Sequence, residues 1–190
     1  MTEDDRVVLK VVSILLEYPD DEGHRHRMDE VAALVGELDD EVNAAWKAWA
    51  SVPRWDLMKL YVSAFDFDAQ CSLNITAHEL GDSRNRGAAL LEIAELYRQA
   101  GFETPDHQLP DFLPMLLELV AVRPNIVPEA VLNRMATVSR RIADRLGKSH
   151  PYARLLDLIP SRVGHAAVTA GPAAAENPDL KDLPYPIEYP

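Results

Sequence analysis

His78, Glu79 and Asp82 stand together in the string HELGD (78–82), and a histidine and a carboxylate four residues apart share one face of an α-helix. Such a pair is the beginning of a zinc site, but zinc takes at least three protein ligands. The chain holds no HExxH string, and Gly81 is expected to break the helix between His78 and Asp82, so no metal site is expected. The overlapping string GDSRNRG (81–87) puts Arg84 and Arg86 at a helix start, where unpaired backbone N–H groups also attract anions. It lacks the GK[ST] ending of a P-loop and follows no strand. The expectation is structural: Arg84 or Arg86 pairs with carboxylates of adjacent helices. Cys71 has no base and no glycine-rich elbow beside it and reads as a small core residue. No nucleophile, base and orienting group come together, which points away from catalysis.

The elements that position these residues are helical, because apolar residues recur at steps of three and four almost throughout. A first helix follows Asp4 and Asp5 with Val8, Val11, Val12, Leu15 and Leu16 on one face, and Pro19 stops it. A second carries Met28, Val31, Leu34, Val35 and Leu38. Asp39 or Asp40 caps a third that buries Val42, Trp46 and Trp49. A fourth begins near Trp55 and aligns Met58, Tyr61, Val62 and Phe65. Residues 71–80 read as a short helix, although Ile75 and Thr76 weaken it. The next helix carries Leu90, Leu91, Ala94 and Tyr97 and ends in a left-handed cap at Gly101. Residues 111–122 then face Leu113, Leu116, Leu117 and Val120 inward, with Pro114 tolerated in the first turn. The longest stripe is Val131, Met135, Val138, Ile142 and Leu146, closed by Gly147. Ser149 caps a last helix that ends before Pro160.

Length and composition fit one such domain. The chain has 190 residues, 47% hydrophobic and 26% charged, enough to bury a core without disulfides. Residues 164–190 hold five prolines, six alanines and no helical stripe, so they read as a flexible tail behind an all-helical domain of residues 1–163. The end of that tail, LPYPIEYP, is suited to binding as an extended peptide.

The formal charge is −12, which repels phosphate backbones and makes nucleic acid an unsuitable partner. Residues 1–22 sum to −5 and residues 29–41 to −6, whereas residues 134–154 sum to +5. Oppositely charged helix faces packing as neighbours would account for this; an acidic rim that attracts a cationic peptide is the alternative. The N-terminus MTEDDRVVLK is acidic where a signal peptide needs lysine or arginine. No apolar run approaches the ~20 residues of a membrane span, and a single cysteine suits a reducing compartment. A soluble, cytoplasmic protein is expected.

Four strings occur in order through the middle of the chain: YVSAFDF (61–67), HELGDSRNRG (78–87), YRQAGFE (97–103) and LPDFLPMLLE (109–118). Together they resemble the NarJ family, the delta-chain assembly chaperones of respiratory nitrate reductase, within the wider TorD-like chaperones of molybdoenzymes. The resemblance runs from VSILLEYPDDE (12–22) to about residue 160. It implies an all-α, single-domain helical bundle without catalysis. It further implies binding to the N-terminal segment of the apo nitrate reductase alpha subunit, a basic amphipathic peptide. The client is held while molybdenum cofactor is inserted, and the chaperone is absent from the finished enzyme. No cofactor is held stably by the chaperone itself; proteins that make molybdenum cofactor are further partners.

An acidic helical domain with an apolar groove is a reasonable receptor for such a peptide. The candidate groove residues are Tyr61, Phe65, Asp66, Phe67, Asp111, Phe112, Leu113 and Met115, with plain core packing the alternative for Tyr61, Phe65 and Leu113. Asp66 and Asp111 flank aromatics at helix boundaries and are expected to be exposed, unless Asp111 serves as a helix N-cap. Gly81, Asp82, Arg84, Arg86 and Gly87 are expected to be structural. Three alternatives remain at this level: a TorD-like chaperone serving another molybdoenzyme, a helical enzyme using HELGDSR on a phosphorylated small molecule, and a passive structural adaptor.

Overall fold

The computed structural model describes residues 1–19, 24–105 and 108–164. Among them are helices and turns without a strand, so the protein is all-α. Helix α1 (Glu3–Leu15) starts in a capping box: the Thr2 hydroxyl accepts the Asp5 N–H and the Asp5 carboxylate accepts the Thr2 N–H. Residues Val8, Leu9, Val11, Val12, Ser13, Ile14 and Leu15 are all buried. This is more than one face, because α1 is central and packs on α7 (Leu113–Val122), α2 (His24–Val35), α9 (Pro151–Asp157) and α10 (Ile159–Arg162). The Ser13 hydroxyl, which has no water to reach, donates to the Pro114 carbonyl at 2.8 Å.

Helix α3 (Asp40–Ala50) is capped by Asp39, whose carboxylate accepts the Val42 N–H at 3.0 Å. Trp49 is buried, and half-buried Trp46 stacks on it with ring centroids 6.3 Å apart. Helix α4 is Arg54–Tyr61. Helix α8 (Glu129–Leu146) buries Val131, Met135, Val138 and Ile142 as the stripe predicts, and packs on α9 and α10. Helix α9 ends at Asp157, before Pro160, and begins after His150 rather than Ser149. Pro160 itself falls in the first turn of α10, where its missing N–H costs nothing.

Two expected elements differ. Residues 71–80 are not one helix: a 3-10 turn (Ala69–Cys71) is followed by an extended stretch and a single turn, α5 (Ala77–Leu80). Asn74 forms an antiparallel bridge with Phe112, and the Leu113 N–H donates to the Leu73 carbonyl at 2.8 Å. That pairing satisfies the backbone around Asn74, and Ile75 and Thr76, poor helix formers, make a turn into α5 instead of continuing a helix. In α6 (Arg84–Ala100) the buried residues are Ile93, Leu96 and Tyr97, while Leu91 is 74% exposed. The helix is rotated from the expected stripe because its neighbours cover only the Ile93–Tyr97 side. Gly101 ends it at φ 80, ψ 21, the left-handed conformation expected.

The basic helix α8 takes its partners from residues 68–79. Arg134 pairs with Glu79 at 2.8 Å, Arg145 with Asp68, and Arg141 donates to the His78 carbonyl. Arg162 of α10 reaches both acidic regions, pairing with Asp5 and Asp39. The expected tail lies outside the described residues apart from Gly164.

Candidate functional site

Pro53 starts α4, and Leu57 and Tyr61 turn into the core four residues apart. At Val62 the backbone widens into a π-helical turn, Val62–Asp66. Such insertions recur at functional sites because they re-aim side chains. Here Ala64 and Phe65 stay buried while Asp66 and Phe67 are exposed. Behind them sits an edge-to-face aromatic cluster: Tyr61–Phe65 at 4.9 Å, Phe65–Tyr152 at 5.2 Å and Tyr61–Tyr152 at 5.8 Å between ring centroids. Tyr18, from the segment after α1, packs on Tyr61 at 5.3 Å.

On the outer side of α4 this arrangement leaves a groove of about 400 Å³ lined by Tyr18, Trp55, Met58, Lys59, Val62, Ser63 and Phe67. Trp55 is 64% and Phe67 83% exposed, an unusual cost for side chains this large unless something covers them. Charges of both signs surround it. Lys59 pairs with Asp56 at 3.1 Å, and the Arg54 guanidinium lies 5.9 Å from the Trp55 ring centre. Burial first, then the negative charges of Asp66 and Glu17, hold the Tyr61 hydroxyl far above the ordinary tyrosine range.

The eight candidate residues divide between two places. Phe67 lines the groove, exposed Asp66 adjoins it, and buried Tyr61 and Phe65 support it from behind. Asp111, Phe112, Leu113 and Met115 belong instead to the entry of α7 and do not line it. Leu113 is fully buried, and Phe112 and Met115 are half-buried against the core.

The expected exposure of Asp111 is corrected: it is fully buried. Nor does it cap α7, whose N-cap position is Phe112. Its carboxylate accepts the Thr76 N–H at 3.0 Å, the Thr76 hydroxyl, and the Asn74 amide at 2.9 Å. Arg86 completes the cluster, with Nε donating to the Thr76 hydroxyl at 3.2 Å and Nη2 4.0 Å from Asp111. A carboxylate can be buried only where its charge is met in this way.

The motif 81–87 thus has unequal members. Arg86 is held inward, also touching Asp82 at 3.4 Å, whereas Arg84 is exposed and makes no ion pair among the described residues. Gly81 sits at φ 51, ψ −139, which a side chain disfavours. Gly87 has open space where a Cβ would stand, and nothing in the structure requires glycine there. His78 is spent on structure, its Nε2–H donating to the Ser72 carbonyl at 2.7 Å. Among the described residues no group of three or more His, Cys, Asp or Glu is placed to hold a metal. Cys71 is buried with its thiol pushed up, chiefly by desolvation and then by Asp68, the reverse of an activated nucleophile.

Sequence reasoning missed Tyr18 and Trp55 and assigned Met58 and Val62 to the core. The available signal was a second helical stripe, Trp55, Met58 and Val62 at i, i+3 and i+7, beside the inward Leu57, Tyr61 and Ala64.

A family model described as the nitrate reductase delta subunit matches residues 26–144. The chain is 30% identical over 164 residues to a Bacillus subtilis protein assigned as the nitrate reductase molybdenum cofactor assembly chaperone NarJ, covering 83% of this chain and 89% of that one. It is 31% identical over 160 residues to the Escherichia coli K12 protein of the same name, covering 80% and 68% respectively. The fold is similar to a crystal structure from Archaeoglobus fulgidus described as a redox enzyme maturation protein, with TM-score 0.63, 21% identity and coverage of 82% and 91%. Among the described residues no helix is long and apolar enough to cross a membrane.

Proposed function

Because this chain belongs to the nitrate reductase delta subunit family, we propose that it recognises its client through the groove beside α4. The protein is a system-specific assembly chaperone for molybdenum cofactor insertion into a nitrate reductase and is not an enzyme. The client segment is the N-terminal peptide of the apo catalytic subunit, basic and amphipathic. Its apolar side lies over Trp55, Met58, Val62 and Phe67, and its cations meet Asp66. The encounter takes place in the cytoplasm, before cofactor is inserted, and residues 1–163 suffice for it.

The observation that carries this reading is the pair of exposed aromatics, Trp55 and Phe67, on a rigid aromatic support. A preformed groove needs little reorganisation on binding, so apolar burial converts more fully into affinity. The structural-adaptor alternative offers no reason for such a groove. The phosphate-binding alternative is disfavoured because Arg86 is already committed to Asp111 and Thr76.

Calorimetry with a synthetic peptide of the catalytic subunit's N-terminus tests the proposal. Binding should show a negative heat-capacity change from apolar burial and should weaken with salt. Absence of binding at high micromolar peptide, or binding that Phe67→Ser leaves untouched, would overturn it.

A further inference from the structure

We propose that the segment Leu183–Pro190 of this same chain docks in the groove beside α4 and competes there with the client. This rests on the groove being the client site. The segment, LPYPIEYP, alternates prolines 184, 186 and 190 with Tyr185, Ile187 and Tyr189. Prolines preset an extended left-handed helix, so little ordering entropy is lost on binding. Grooves lined with aromatic rings are the surfaces that recognise such segments, and this groove carries Tyr18, Trp55 and Phe67.

Charge and length agree. The acids Asp179, Asp182 and Glu188 flank or lie within the segment against one base, Lys181. The groove's lining carries Lys59, in an exposed pair with Asp56, and Arg54 lies against Trp55. Eighteen residues, 165–182, separate the described domain from the segment. Extended, they reach about 60 Å, and a domain of this size has a radius of gyration of roughly 15 Å. Every face of the domain is therefore within range. A short tether gives an effective concentration near the millimolar range, so a weak contact suffices. A segment that fills the groove nine-tenths of the time lowers client affinity about tenfold. The acidic tail and the basic client cannot share the apolar floor, so arrival of the client releases the tail.

The test uses the full chain and a triple variant, Tyr185→Ser, Ile187→Ser and Tyr189→Ser, compared by nitrogen-15 NMR. The indole signal of Trp55, assigned with Trp55→Phe, and the amides of Met58, Val62 and Phe67 should differ between the two proteins. Signals of Trp46 and Trp49 should coincide. A synthetic peptide of residues 181–190 should move the same groove signals in the triple variant, and the basic client peptide should bind that variant about tenfold tighter. Coincident groove signals in the two proteins would overturn the proposal. So would a shift that grows with protein concentration and persists in the variant, which would identify a second copy as the occupant. Equal client affinity would overturn the competition. If neither protein binds the client while the tail-dependent shift remains, the client assignment fails and the tail contact stands.

Discussion

The carboxylate of Asp111 accepts both the backbone N–H and the hydroxyl of Thr76, 35 residues earlier in the chain. This joins the loop before α7 to the loop before α5, and Arg86 at the start of α6 closes the cluster. Two of the chain's distinctive strings, HELGDSRNRG through Arg86 and LPDFLPMLLE through Asp111, are thereby held to residues 74–76 by one buried charge. Those two strings mark a structural latch, whereas YVSAFDF supplies Val62, Ser63 and Phe67 to the groove.

Asp111→Ala should lower stability by about 3 kcal/mol or more, because it leaves the Thr76 N–H and hydroxyl without their buried acceptor and removes the carboxylate beside Arg86. Asp111→Asn should lose less, since an amide oxygen still accepts. Urea unfolding midpoints measure both. A variant that unfolds like the wild type but loses client binding would return Asp111 to the binding site.

The two motif arginines should separate. Arg86→Ala breaks a largely buried arrangement and should cost several times more than Arg84→Ala, which should stay under about 1 kcal/mol. Equal losses would contradict the geometry around Thr76.

Groove and support should separate as well. Trp55→Ser and Phe67→Ser should change stability by no more than about 0.5 kcal/mol, as for exposed positions, yet weaken client binding tenfold or more. Phe65→Ala should instead cost about 3–5 kcal/mol, because it opens the cluster with Tyr61 and Tyr152. Thermal melts and peptide titrations on the same variants distinguish these outcomes.

Stability should fall on mild acidification. Burial, reinforced by the charge of Arg141, holds His78 below its usual value of 6.5. The unfolded chain therefore takes up a proton near pH 6.5 that the folded chain refuses. The His78 contribution is complete above that pH and is lost as the pH falls, by at most about 1.4 kcal/mol per unit. His150 is shifted the same way by burial, so His78→Gln should flatten the loss between pH 7.5 and 5.5 only in part. Parallel curves for wild type and variant would show that His78 is not the group responsible.

Local signals in the sequence were enough for most helices and their ends. The capping of α3 by Asp39, the left-handed stop at Gly101 and the inward stripe of α8 each depend on residues within four or so positions of one another. Apolar periodicity and the family strings both pointed to the all-α fold. What needed the tertiary structure was every property set by a distant partner. Asp111 is buried because Thr76, Asn74 and Arg86 come to meet it; nothing beside it in the chain distinguishes it from an exposed capping residue. Residues 72–74 leave the helix because Phe112 offers Asn74 a bridge. Met58 and Val62 face a groove rather than the core because packing leaves that side of α4 uncovered. Periodicity reveals which residues share a face of a helix, and only the neighbouring elements decide whether that face is covered or left open to a ligand.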